Sequence, residues 1–323
     1  MAMEKTVLLP VPPEEAFALV TEPERLRRWL AVTARLELHA GGRFRWALTP
    51  MAAASGTVVE VEPGRRLVLD FAWEHASDAS RDTVVLTLEP AEGGTLVRLE
   101  HRTPLDDPAK DAGHLEGWSH FLDRLRLAAA TGDAGPDEWV AAPAVLTPLT
   151  SASATLAVLQ HVLRDIGPEA AGLQTACRDF TVAELEAHVV ESMRGLTTFA
   201  GATFTTATEG TLEARVADIG RQAVEAWTAR GLDGTVLAGG AEHPAPVIAG
   251  IMSLEFLVHA WDFAAALGRK VLVSDEVAAY VLGLAHQVIN PDLRVTAGFD
   301  EALPIADDAP PLDRLLAFTG RAA

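Results

Sequence analysis

Residues 253–269 read SLEFLVHAWDFAAALGR. Apolar residues at three- and four-residue spacing predict a helix from Pro244 to Leu267, closed by Gly268. Its inward stripe runs Ile248, Met252, Glu255, His259, Asp262 and Ala266. Glu255 and His259 are four apart, so their side chains lie one turn apart on one face. That face is otherwise apolar, and a carboxylate buried there requires a partner or a cation. Asp262 is placed one turn further on, either to orient a ligand or to make a packing contact.

Working outward, a second helix is predicted from Thr181 to Phe199, opened by Thr181 and Glu184 in capping-box spacing. Its stripe runs Leu185, His188, Ser192 and Leu196. Two imidazoles and a carboxylate from facing helices form a zinc shell with one position open. The same residues also allow a hydrogen-bonded Glu255–His259 pair, with His188 an unrelated core histidine. Further helices are predicted over 155–166, stopped by Gly167-Pro168, over 212–230, over 275–289 and over 311–318. Four long helices with a cross-connection imply a bundle. His161 has no ligand role in this scheme. Cys177, just before a helix N-terminus, reads as a small buried turn residue, although such a position can also activate a thiol.

Towards the N-terminus the period changes from helical to two. Residues 131–149, TGDAGPDEWVAAPAVLTPL, are rich in Gly, Ala and Pro and read as a linker. Before them, a first strand (6–11) and two short helices (13–30) precede alternating stripes. These are Phe44/Trp46/Leu48, Thr57/Val59/Val61, Leu67/Leu69/Phe71/Trp73, Val84/Leu86/Leu88 and Val97/Leu99/His101. One apolar face at period two implies an antiparallel sheet covering a core. A long helix over 107–130 follows, with Leu115, Trp118, Leu122 and Leu125 on one stripe.

The chain has 323 residues, 49% of them hydrophobic and 22% charged, enough for two cores. A formal net charge of -19 argues against nucleic acid and anionic membrane as partners and leaves a small molecule. No apolar run is expected to reach the length needed to span a bilayer, and the N-terminus lacks a signal-peptide pattern. The single cysteine excludes an internal disulfide and a cysteine-rich zinc site. The expected location is cytoplasmic; oligomeric state is left open.

The stretches TACRDFTVAELEAHVVESMRGL (175–196), SLEFLVHAWDFAAALGR (253–269) and LPIADDAPPLDRLLAFTGR (303–321) resemble the N-terminal-domain family of mycothiol-dependent maleylpyruvate isomerase, a DinB-like metal-binding family. The resemblance spans about 155–321, with Ala176 and Phe180 standing where the family usually has Pro and Trp. It implies that His188, Glu255 and His259 bind Zn2+ or a similar divalent ion. It also implies mycothiol, or another low-molecular-weight thiol, as cosubstrate of a transferase or isomerase. The stretches 11–30 (VPPEEAFALVTEPERLRRWL), 41–44 (GGRF) and 114–125 (HLEGWSHFLDRL) resemble the START-like (SRPBCC) family, in the branch related to the activator of heat-shock-protein ATPase. That likeness implies a cavity between sheet and long helix, lined by Trp46, Phe71, Trp73, His101 and Trp118. Those same residues could instead simply fill a core. The expected architecture is an N-terminal α+β helix-grip domain (1–132), a linker (133–149) and a C-terminal all-α DinB-like four-helix bundle with extra C-terminal helices (150–323). A second expectation is a binding protein that sequesters or carries a small molecule in the helix-grip cavity.

Overall fold

The computed structural model describes residues 2–74, 81–104, 107–206, 209–291, 294 and 299–322; the predicted outer ends of the two domains, Met1 and Ala323, lie outside this set. The chain divides into two compact units, Met1–Asp137 and Glu138–Ala323. The division falls inside the stretch read as linker, but that stretch is not free chain. The Ala134 amide donates to the Arg28 carbonyl, and the Asp137 carboxylate meets His120 and Arg124. Beyond it, Glu138–Ala141 forms a helical turn.

In the first unit, β1 (Ala2–Leu9) leads to α1 (Pro13–Thr21) and α2 (Pro23–Leu26). Then come β2 (Thr33–Leu36), β3 (Arg43–Thr49), β4 (Ala52–Glu62), β5 (Arg66–Trp73), β6 (Asp82–Ala91), β7 (Gly94–Arg102) and α3 (Pro108–Thr131). All seven strands pair antiparallel in the order β1-β7-β6-β5-β4-β3-β2. This sheet with its helices fits a helix-grip fold.

β2 is absent from the sequence reading, since four residues carry too little signal, and two stripes differ from theirs. In β4 the register shifts between Val58 and Glu60, so Ala54 and Val58 are buried and Val59 is exposed. A bulge turns successive residues to faces that strict alternation does not predict. On α3, Leu115 is exposed and the inward stripe is His114, Trp118, Phe121, Leu122 and Leu125. The helix starts where expected because the Asp107 carboxylate accepts from the Ala109 and Lys110 amides and Pro108 opens the first turn.

The second unit is helical: α4 (Glu138–Ala141), α5 (Pro148–Leu163), α6 (Val182–Phe199), α7 (Leu212–Arg230), α8 (Ala245–Ala266), α9 (Asp275–Val288) and α10 (Pro311–Phe318). α5 starts seven residues before its predicted start at Thr155, because Thr147 and Thr150 cap it reciprocally and Pro148 takes the first position. Thr181 and Glu184 cap α6 as their spacing predicts. α5 packs on α8, α8 on α6, α6 on α7 and α7 on α5, closing a four-helix ring. A short hairpin of β8 (Thr235–Ala238) and β9 (Ala241–Pro244), absent from the sequence reading, leads into α8.

α8 is buried almost all round, with Leu254, Phe256, Leu257, Val258 and Phe263 packed beside its predicted stripe. By length and composition it alone, among the described residues, could cross a membrane, which corrects the reading that no run is long enough. Here that apolarity is consumed by the protein core. α9 packs on it and α10 packs on α9, with Val277, Val281, Leu282, Ala285 and Leu315 in their shared core.

Candidate functional site

The C-terminal unit brings His188 of α6 to Glu255 and His259 of α8. One Glu255 oxygen, Oε2, lies 3.5 Å from Nε2 of His188 and 3.5 Å from Nε2 of His259. These contacts are too long to be good hydrogen bonds, and Oε2 is buried with no hydrogen-bond partner among the described residues. Zinc–ligand bonds of about 2.0–2.1 Å in a tetrahedron place neighbouring donor atoms roughly 3.4 Å apart. The two imidazoles stand at 84°, with ring centroids 5.0 Å apart, so their in-plane lone pairs can converge beside the carboxylate. The donor atoms and their spacing fit a divalent ion.

The sequence stripe on α6 needs one correction. Leu185, Val189, Met193 and Leu196 form the buried face, whereas His188 and Ser192 sit at its edge. The His188 side chain is 33% exposed, against 14% for Glu255 and 8% for His259. The site is therefore closed on its α8 side and accessible beside His188, whose ring stacks on Phe180 at 5.0 Å.

Asp262 connects to the same site. Its Oδ2 accepts from Nδ1 of His259 at 2.9 Å, which leaves Nε2 facing Glu255. Arg321, which the sequence reading did not single out, donates to Asp262 through Nε (2.8 Å) and Nη2 (2.7 Å). Burial pushes the Glu255 carboxyl up, but the two imidazoles outweigh it and hold it well below the usual range. Burial pushes the His259 imidazole down, yet Asp262 and Glu255 on either side lift it to about 9. Without an ion the site thus keeps its charges paired by holding a proton on His259, and a bound cation replaces that proton. Beside Arg321 a cleft of about 80 Å³ is lined by Cys177, Arg178, Asp179, Asp300 and Thr319. Burial raises the Cys177 thiol, so it is not an activated thiolate.

In the N-terminal unit, strand register sets the second group of residues. Phe44, Gly56, Phe71 and Asp82 form one row across β3, β4, β5 and β6, and Trp46, Ala54 and Trp73 form the next. Gly56 leaves the space over which the Phe44 ring lies. Trp46, Phe71, His101 and Trp118 are buried and Trp73 is half-buried. Their rings pack on neighbours: Phe44–Trp46 at 4.8 Å, Phe71–Trp73 at 5.2 Å and Phe71–His101 at 5.4 Å.

Asp82 and His114, both buried and both missed by the sequence reading, join His101 here. Nε2 of His101 meets Asp82 Oδ2 at 3.1 Å, and its Nδ1 accepts from the Trp118 indole at 2.9 Å. Nε2 of His114 accepts from the Trp73 indole at 3.0 Å. An indole only donates, so both imidazoles are neutral. Burial accordingly lowers both, His114 to about 4. The carboxylate and two imidazoles come close enough to suggest a second metal site. The ring geometry excludes one as they stand: the imidazoles stack at 3.9 Å with planes only 18° apart, so no ion can lie in both planes. The cluster instead places polar atoms in an aromatic interior, where Lys110 Nζ stands 3.6 Å from Asp82 Oδ1 and Trp46 Nε1 has no hydrogen-bond partner among the described residues.

Comparison with known proteins places the first unit. Residues 10–130 match the model of the family described as Activator of Hsp90 ATPase homolog 1-like protein, which is START-like. An uncharacterized protein of Mycobacterium tuberculosis, Rv0738, is 36% identical over 81 residues, which are 25% of this chain and 44% of that protein. The chain thus aligns with less than half the length of this curated relative. Among solved structures, DynU16 of the dynemicin biosynthetic locus is 22% identical, covering 46% of this chain and 57% of that one, with a TM-score of 0.39. The Aha1 dimer of Colwellia psychrerythraea is 17% identical, covering 41% of this chain and 98% of that one, with a TM-score of 0.38.

Proposed function

We propose that the C-terminal unit is a DinB-like divalent-metal site, most suited to zinc, that serves a transferase or isomerase using a low-molecular-weight thiol of the mycothiol type. The observation that carries it is the buried Glu255 Oε2, 3.5 Å from each of two perpendicular imidazoles and without a good hydrogen bond to either. Resemblance of the 175–196, 253–269 and 303–321 stretches to the DinB-like family supports the same residues and suggests the thiol.

His188, Glu255 and His259 would hold the ion. When bound, it supplies a Lewis acid that lowers the pKa of a thiol or water in the remaining position. The chain's own residues do the rest. Asp262 fixes the His259 ring so that Nε2 faces the site. α8 shields one side from water, while the exposed edge of His188 leaves a route for a small substrate. In the reaction, the thiol S–H gives up its proton to solvent and sulfur adds to one carbon of an electron-poor C=C bond, whose π pair moves onto the conjugated carbonyl oxygen. Protonation of that enolate at carbon by solvent gives conjugation. Rotation about the C–C bond, now single, followed by return of the electron pair and departure of the thiolate, which regains a proton from solvent, gives isomerisation. Metal content of the full chain and of His188→Ala, Glu255→Ala and His259→Ala tests the reading. One ion per wild-type chain and loss in each variant is expected; a wild type that stays metal-free after zinc loading refutes it.

A second reading concerns the first unit, whose START-like family assignment suggests small-molecule binding. The buried Trp46 Nε1, without a hydrogen-bond partner among the described residues in an aromatic interior, favours it. Quenching of tryptophan fluorescence by small aromatic compounds would support a binding or carrier role, and no change in signal across such compounds would count against it.

A further inference from the structure

We propose that Arg321 is a positioning residue for metal binding: the end of the chain is wound to clamp Asp262 and, through it, the His259 ring. This rests on the metal-site reading above and extends it to a residue far from the ligands in sequence.

The local sequence explains the geometry. α10 ends with Thr319 as its cap. The Gly320 amide then donates to the Ala317 carbonyl and the Arg321 amide to the Leu316 carbonyl, at 3.1 and 2.8 Å. That bond pair is a Schellman turn, which needs a left-handed residue at its centre. Gly320 supplies it with φ +81°, and a Cβ there would overlap Asp300. The turn reverses the chain and sends the Arg321 side chain inward, where the residue is only 9% exposed.

The pairing has a specific consequence. Asp262 is fully buried, so both of its oxygens depend on protein donors to hold the carboxylate plane against His259 Nδ1. The guanidinium satisfies both carboxylate oxygens and leaves Oδ2 free to accept from His259 as well. A third Arg321 nitrogen, Nη1, donates to the Thr319 carbonyl at 3.0 Å and fixes the fork. Lysine has the charge but not the fork, so it would hold Asp262 without fixing its plane.

Zinc affinity of the full chain, measured by competition with a chelating indicator, tests this directly. Arg321→Gln and Arg321→Ala are expected to weaken zinc binding by about 10-fold or more, as loss of support behind a ligand does. Arg321→Lys should fall between these and the wild type. Millimolar guanidinium should restore affinity to Arg321→Ala by refilling the hole against Asp262. Arg294→Gln controls for loosening of the tail, because Arg294 holds the Phe318 carbonyl of the same helix end; it should bind zinc like the wild type. If the wild type binds zinc but Arg321→Gln and Arg321→Ala stay within twofold of it, or lose no more than Arg294→Gln, the positioning role is overturned. A wild type that takes no zinc sinks the metal reading itself, a different result from loss of the clamp alone.

Discussion

Glu255→Gln is the sharpest single perturbation of the C-terminal unit. It keeps the shape of the side chain and removes only the charge of a carboxylate whose Oε2 stands 3.5 Å from each imidazole. With zinc at a hundredfold over Kd, the wild-type bundle should gain about 2.7 kcal/mol from binding to the folded state alone. For a unit of this size each kcal/mol is worth roughly 2–4 °C, so the zinc-dependent shift in Tm should be about 5–10 °C. Glu255→Gln should abolish most of that shift. Its metal-free Tm should fall somewhat, because the two imidazoles hold the Glu255 carboxylate more strongly than burial penalises it, so the comparison is the zinc-dependent shift within each protein. The assay is calorimetry of wild type and variant, each after chelation and again after zinc addition. A Glu255→Gln protein that keeps the full zinc-dependent shift would show that the carboxylate is no ligand.

Three further outcomes are expected. His114 and His101 are neutral in the folded first unit, with His114 at about 4 against 6.5 when unfolded. Below 6.5 the unfolded chain therefore takes up protons that the folded unit refuses, so stability should fall from that pH down to about 4 and be flat above it; the His114 share is about 2–3 kcal/mol. Acid titration of urea melts should show this loss, and His114→Gln should flatten it; an unaltered profile in that variant would dismiss the assignment. Gly320→Ala should cost at least about 1 kcal/mol, because the residue is left-handed and its Cβ meets Asp300; a thermal melt no lower than wild type would contradict the turn. Expressed separately, 1–137 and 138–323 should each melt cooperatively, and failure of both fragments would show that the units depend on one another.

Much of the secondary structure was legible because it is local. Thr181 and Glu184 announce α6, Gly231 and Gly268 follow the ends of α7 and α8, and the Phe44/Trp46 alternation marks β3. His188, Glu255 and His259 were legible for a related reason: charged or polar groups in apolar stripes conflict with their surroundings unless something compensates them. Their degree of burial was not legible. A stripe gives a direction around a helix axis, and the packing of α6 against α7 and α8 leaves His188 at the edge. Likewise, Val59 and Leu115 obey the sequence periods yet face outward, because a bulge and the seating of α3 decide which side is inside.

What the sequence by itself determined was the change of period from two to helical near residue 131, the helix caps and the three candidate ligands. Only the tertiary structure decided who stands behind them. Asp262 and Arg321 are 59 positions apart, and nothing in either local pattern pairs them; the Schellman turn at Gly320 does so by reversing the chain. Asp82 and His114 were missed for the same reason. Asp82 opens a strand and His114 lies one position from the apolar stripe predicted for α3, so each reads as surface until sheet register and helix docking bury both against His101. The tertiary structure also separated the two carboxylate–histidine clusters, which composition alone makes equivalent. An imidazole lone pair lies in the plane of its ring, so rings at 84° can share an ion and rings stacked at 18° cannot.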